Sequence, residues 1–169
     1  MQRITDTLSI IVSKRFRICT LLVLLSGAGC NHAYSGYVAQ LRSGDAKERV
    51  DAAAFLGEQR VSDAIPALSR ALRDPEQEVR IKAVWALGMI RSKRSMRDLI
   101  PLLRDGNRRV RQTAAWSLMQ MEEPDAIPAL EMAMRMENDG WVKGDMRRAI
   151  GFLKQFEGET DLNEATFRW

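Results

Sequence analysis

The chain has 169 residues, room for one domain and an appendage, and 46% hydrophobic with 28% charged content suits an ordinary folded domain with a sizeable core. Of 26 basic and 22 acidic side chains, four (Arg3, Lys14, Arg15, Arg17) and one (Asp6) fall in the first thirty residues, leaving a nearly balanced 22 and 21 in the rest. The pI of 9.4 therefore does not by itself point to nucleic acid, and because both cysteines, Cys19 and Cys30, lie in those thirty residues, the remainder needs no disulfide.

In chain order, the first element is a leader. Lys14, Arg15 and Arg17 form a basic flank, Ile18 to Leu25 an apolar run, and Ser26 to Gly29 a tract of small residues. That is the order of a secretory signal peptide. The apolar run is far shorter than the roughly 20 residues a membrane-spanning helix needs. The small residues abut Cys30, whose thiol can be acylated, and the stretch Ser26, Gly27, Ala28, Gly29, Cys30 resembles the lipobox of bacterial lipoproteins. Gly27 departs from it, since that family usually has leucine there. The resemblance implies residues 1–29 as a signal peptide and 30–33 as the lipidated N-terminus, with Cys30 as the lipid attachment site. An exported, membrane-anchored, periplasm-facing protein follows from it, and Asn31 favours the outer over the inner membrane in a Gram-negative cell. Several acyl chains anchor stably, at about 0.8 kcal/mol per buried CH₂.

The next 120 residues repeat. Shifted by 31, Leu41, Leu72, Leu103 and Met134 fall in one column, Tyr34, Ile65, Met96 and Ile127 in a second, and Tyr37, Leu68, Leu99 and Leu130 in a third. Spacings of three and four within each set predict one helical stripe. A second helix recurs as 49–57, 79–88 and 110–119, with a fourth copy at 142–153 after one inserted residue. About eight helices are expected between about residue 33 and residue 156. Asp74 is read as the cap of a helix opening on Pro75, and Pro66 and Pro128 as first-turn prolines. Pro101 falls late in its helix, so that helix either bends or starts late.

These residues resemble short HEAT-like repeats, the kind also seen in phycobilin lyase subunits. HEAT units carry a turn aspartate and an arginine six residues later, and Asp74 with Arg80 and Asp105 with Arg111 match that pair. The first repeat departs, with Ser43 before Arg49, and the last lacks the arginine. The resemblance implies an all-α, right-handed solenoid of about four to five 31-residue helix-turn-helix units over 34–156, with 157–169 as an acidic C-terminal tail. One unit cannot bury its apolar face alone, so neighbours must stack.

Chemistry is sparse. The single histidine, His32, lies beside Cys30 and outside the repeats, which leaves them no general base of the usual kind. The His-Glu pairs of iron-binding HEAT hydroxylases, an H-E-x-x-H motif, clustered cysteines and phosphate loops are all missing. A carboxylate-only Mg²⁺ or Ca²⁺ site stays open, but no cofactor and no small-molecule substrate are expected.

What remains is surface. Arg42, Arg73, Arg104 and Arg135 form a column at the ends of the first helices, read here as lining the concave side, where they would either clamp acidic segments or complement helix dipoles. Residues 91–111 hold Arg91, Lys93, Arg94, Arg97, Arg104, Arg108, Arg109 and Arg111 against Asp98 and Asp105. Trp85 and Trp116, at equivalent positions, are expected to stack on each other in the core. The sequence thus reads as a non-catalytic protein-protein interaction scaffold or adaptor, lipid-anchored in the bacterial cell envelope. It would bind a membrane-proximal protein through Arg73, Arg94, Arg97, Arg104, Arg108, Arg109 and Arg135. The alternatives are a phycobilin-lyase-like HEAT subunit or chaperone and, if the chain is not exported, a nucleic-acid-binding HEAT-like protein.

Overall fold

Helices start where a side chain can satisfy the first free N–H groups. Asp45 accepts from the Lys47 amide at 2.8 Å, Asn107 from Arg109 at 2.8 Å, and Asp139 from Trp141 at 2.9 Å. With Glu76, whose side chain makes no such bond, these residues form the N-cap column of four second helices. A computed structural model describes residues 34–157, and the unit considered is that of residues 37 onward, Tyr34 to Gly36 belonging to a separate one.

Eight α-helices occur among the described residues: α1 (Ser35–Gln40), α2 (Ala46–Glu58), α3 (Ile65–Ala71), α4 (Gln77–Ile90), α5 (Lys93–Leu99), α6 (Arg108–Gln120), α7 (Ile127–Met136) and α8 (Gly140–Leu153). Odd and even helices alternate as the first and second helix of each unit, giving an α-solenoid. Pro66 and Pro128 sit in the first turns of α3 and α7. Asp74 does not cap α4, which begins two residues later than expected. Its carboxylate instead accepts the Glu76 amide at 2.9 Å and is shared with Arg49. At Pro101 the α-helix ends: α5 stops at Leu99 and Ile100–Arg104 continue as a 3₁₀ turn with the proline in its first positions, where no N–H is required.

The columns are the core. Leu68, Leu99 and Leu130 are fully buried, as are Ala52, Ala83 and Ala114, and Leu56, Leu87 and Leu118. Each such leucine contributes about 2 kcal/mol by leaving water. The second helices approach especially closely. A Cβ added to Gly57 would lie 2.7 Å from the Ala86 Cα, and one added to Gly88 2.6 Å from the Ser117 Cβ. Across the same joint the Ser117 hydroxyl donates to the Val84 carbonyl at 2.9 Å. First helices touch one another far less. In a curved stack the layer of smaller spacing is the inner one, so the second helices form the inner layer and the first helices the outer. The arginine column at the first-helix ends therefore belongs to the outer layer, not to the concave side.

Candidate functional site

Each joint is closed by an arginine reaching forward. Arg49 makes a forked contact with Asp74, Nε to Oδ2 at 2.7 Å and Nη2 to Oδ1 at 2.9 Å. Arg80 does the same with Asp105, at 3.2 and 3.4 Å, and Arg111 with Glu137, at 2.7 and 3.2 Å. The third nitrogen donates backwards, to the carbonyls of Ser43, Asp74 and Asp105 at 2.8, 2.9 and 2.9 Å. The pairs Asp74–Arg80 and Asp105–Arg111 thus meet through the aspartate's main-chain oxygen, while the carboxylate serves the arginine of the preceding unit. This also explains Ser43, because a carbonyl is all that position supplies to Arg49.

Burial by itself would push the Asp74 and Glu137 carboxyls up. The arginine hydrogen bonds and the backbone N–H groups of Glu76, or of Asp139 and Asn138, outweigh it and hold both below the ordinary carboxylate range.

Most of the basic segment is engaged in similar bridges. Arg91 meets Glu122 at 3.0 Å, Arg108 meets Asp139 at 3.7 Å and Arg109 meets Glu78 at 2.6 Å. Lys93, hydrogen-bonded to Asp125 at 2.9 Å and Glu123 at 3.0 Å, is pushed up to about 12. The seven arginines read as one binding face are therefore divided. All seven are exposed; Arg108 and Arg109 bridge units, whereas Arg73, Arg94, Arg97, Arg104 and Arg135 enter no ion pair among the described residues. Arg73 and Arg97 share a groove of about 360 Å³; Arg104 lies in a different one, beside Met136 and Asp139. Cys30 and the tail beyond Glu157 lie outside the described residues.

On the inner layer the joints are unequal. Gly57 and Gly88 let their neighbours close, but the next residue in that column is Met119. Beside it lies a groove of about 410 Å³ lined by Trp85, Thr113, Trp116, Met119, Asp145 and Arg148. Gln112, also on its wall, donates to Asp145 at 2.8 Å. Trp85 and Trp116 are both half-exposed, and the stacked ring pair among the described residues is Tyr37 with Phe55. They do not stack on each other as expected, since Trp85 leans back over Gly57 with the Lys82 ammonium 5.3 Å from its ring centre. A helical wheel carries the missed signal: Trp85 shares its stripe with Glu78 and Lys82, not with Ala83 and Leu87. Among the described residues no three His, Cys, Asp or Glu side chains gather as a metal site, and no helix is long and apolar enough to cross a membrane.

A family profile described as HEAT repeats matches residues 35–106 and 73–151. Among solved structures, the chain is similar to one in the complex of CpcE and CpcF of phycocyanin lyase from Nostoc sp. PCC7120, with 31% identity and a TM-score of 0.57 over 68% of this chain and 46% of that one. Human deoxyhypusine hydroxylase in complex with glycerol is similar at 18% identity and TM-score 0.64, over 76% of this chain and 46% of that one. An engineered protein is similar at 22% identity and TM-score 0.54, over 74% of this chain and 64% of the other. These last two show the fold alone. The chain spans about half the length of the lyase and hydroxylase chains it matches, and no curated protein matches it significantly.

Proposed function

The chain belongs to the HEAT-repeat family, and on that premise we propose that it is a non-catalytic scaffold that holds a segment of another protein in the groove of its inner layer. In this reading it is exported and tethered to a bacterial membrane through acylated Cys30, so its partner is membrane-proximal. One observation carries the binding role: Trp85, Trp116 and Met119 stand half-exposed around an open groove on the inner layer. Two rings and a thioether supply a large, adaptable apolar contact, and Gln112, Thr113 and Asp145 supply polar orientation at its wall.

The test is crosslinking followed by pull-down from membranes of cells making wild-type or Trp116→Ala protein. Anchoring aromatics at interface centres are worth 2 kcal/mol or more when truncated, so capture should fall by about tenfold or more. Arg108→Glu, which disturbs only the bridge to Asp139, should leave capture intact. If Trp116→Ala protein that is folded by circular dichroism recovers the same partner at the wild-type level, the groove is not the binding site.

The 31% identity to a chain of the CpcE–CpcF complex favours a second reading, a lyase-like subunit whose partner is a second lyase chain. Recovery of such a chain in the same experiment would select it.

A further inference from the structure

The cations of this solenoid are distributed unevenly with respect to their partners. At the joints, arginines end on carboxylates of the neighbouring unit, while on the last second helix Arg148 pairs with Asp145 of its own helix and Arg147 has no ion pair among the described residues. On the outer layer they gather with each other. Arg73 and Arg97, from successive units, line one groove, and Arg42 and Arg70 line another of about 140 Å³. Each groove also holds one carboxylate, Asp98, which accepts the Ser69 hydroxyl at 2.5 Å, and Asp74, which is held by Arg49 and the Glu76 amide, so two arginines outnumber one carboxylate in each. Arg94, Arg104 and Arg135 add three exposed guanidiniums to the same layer, and none of these seven arginines has an ion pair within the described residues. Like charges brought together in excess of their counter-ions repel, and that arrangement is relieved when an external polyanion supplies more.

We propose that the outer layer is a docking surface for anionic phospholipid headgroups, with the paired grooves of Arg42 and Arg70 and of Arg73 and Arg97 seating the phosphates. A bilayer fits better than a single ligand because the free arginines are spread along successive first helices and not focused on one pocket. The orientation this implies rests on the tether reading: a chain held at Cys30 lies outer layer down on the membrane and turns the groove of Trp85 and Trp116 towards a partner.

The experiment uses the full chain carrying Cys30→Ser, which removes acylation, and measures co-sedimentation with vesicles of phosphatidylcholine alone or mixed equally with phosphatidylglycerol. Partition into the anionic vesicles alone is expected, and it should fall as salt is raised. Each arginine near an anionic surface contributes about fivefold, so Arg73→Gln with Arg97→Gln should reduce partition by about 25-fold. Lys47→Gln with Lys143→Gln, the same charge change on second helices, should alter it by less than about twofold. Equal losses from the two pairs, or equal binding to both vesicle types, would overturn the proposal. So would binding that appears only after the chain is stopped at residue 158, which would assign the grooves to the acidic tail, or binding to duplex DNA but not to vesicles. Because no acyl chain is present, a failure of the Cys30 tether in cells registers separately, as absence of lipid on the wild-type protein.

Discussion

Gly88→Leu lowers the stability of the protein by about 3 kcal/mol, while Gly151→Leu, the same change in the same repeat column, leaves it unchanged or raises it by up to about 1 kcal/mol. At Gly88 even a Cβ would stand 2.6 Å from the Ser117 Cβ and 2.8 Å from its Cα. Backbone cannot swing aside as a side-chain tip can, so α4 and α6 must part and the Ser117–Val84 hydrogen bond must stretch, an overpacking cost at the upper end of its usual range. At Gly151 nothing lies within 4 Å, so leucine gains its helix propensity over glycine and meets no steric opposition. Thermal unfolding reads both: with about 4 °C per kcal/mol for a solenoid of this size, the melting temperatures of the two variants should differ by more than about 12 °C. Equal effects at both positions would mean that the second helices are not packed through glycine.

Arg111→Met removes a bridge whose side chains are only 17% and 7% exposed, and about 3 kcal/mol of stability is expected to go with it at neutral pH. Methionine fills the space left by the arginine stem. It removes the cation from the Glu137 carboxylate, which keeps the Asn138 and Asp139 amides, and the side-chain donor from the Asp105 carbonyl; the half-buried charge left without its cation accounts for most of the loss. The pH dependence has a definite sign. Glu137 is held below its ordinary value of 4.5 in the folded protein, so the unfolded chain binds its proton first. The bridge's contribution is complete above the unfolded value and fades as pH falls through the lowered folded value. Without Arg111 the carboxyl keeps only the Asn138 and Asp139 amides against its burial, so the variant has less to lose than the wild type when that carboxyl takes up its proton. Urea unfolding of both proteins from neutral pH down to about pH 3 should therefore show the stability gap narrowing below about pH 4.5. A gap of constant size would contradict the bridge as the source of the loss.

The repeat itself was legible because stacking imposes the same burial on every unit: Leu68, Leu99 and Leu130 occupy one environment three times, so one residue type recurs. The prolines at 66 and 128 were legible for a local reason, the missing N–H. Asp74 was misjudged by two residues because its carboxylate answers to Arg49, 25 positions back, and no local pattern records that demand. The same applies to Glu137, which extends the column of Asp74 and Asp105 only once the inserted residue is counted. The basic segment looked like a single charged face because its counter-ions, among them Glu78, Glu122, Glu123 and Asp139, come from the other units. The tryptophans were assigned to the core on hydrophobicity, although their stripe is polar. The groove brings together Trp85, Trp116 and Asp145 from three successive second helices, a juxtaposition that no single helix's sequence records.

The central claim is that the inner-layer groove beside Met119 is where a partner protein sits. The most direct measurement places a photoreactive amino acid at position 113 on the groove wall, or at position 94 on the outer layer, and irradiates living cells. A protein adduct from position 113, with none from position 94, is the predicted result; a protein adduct from position 94 with none from position 113 would contradict it.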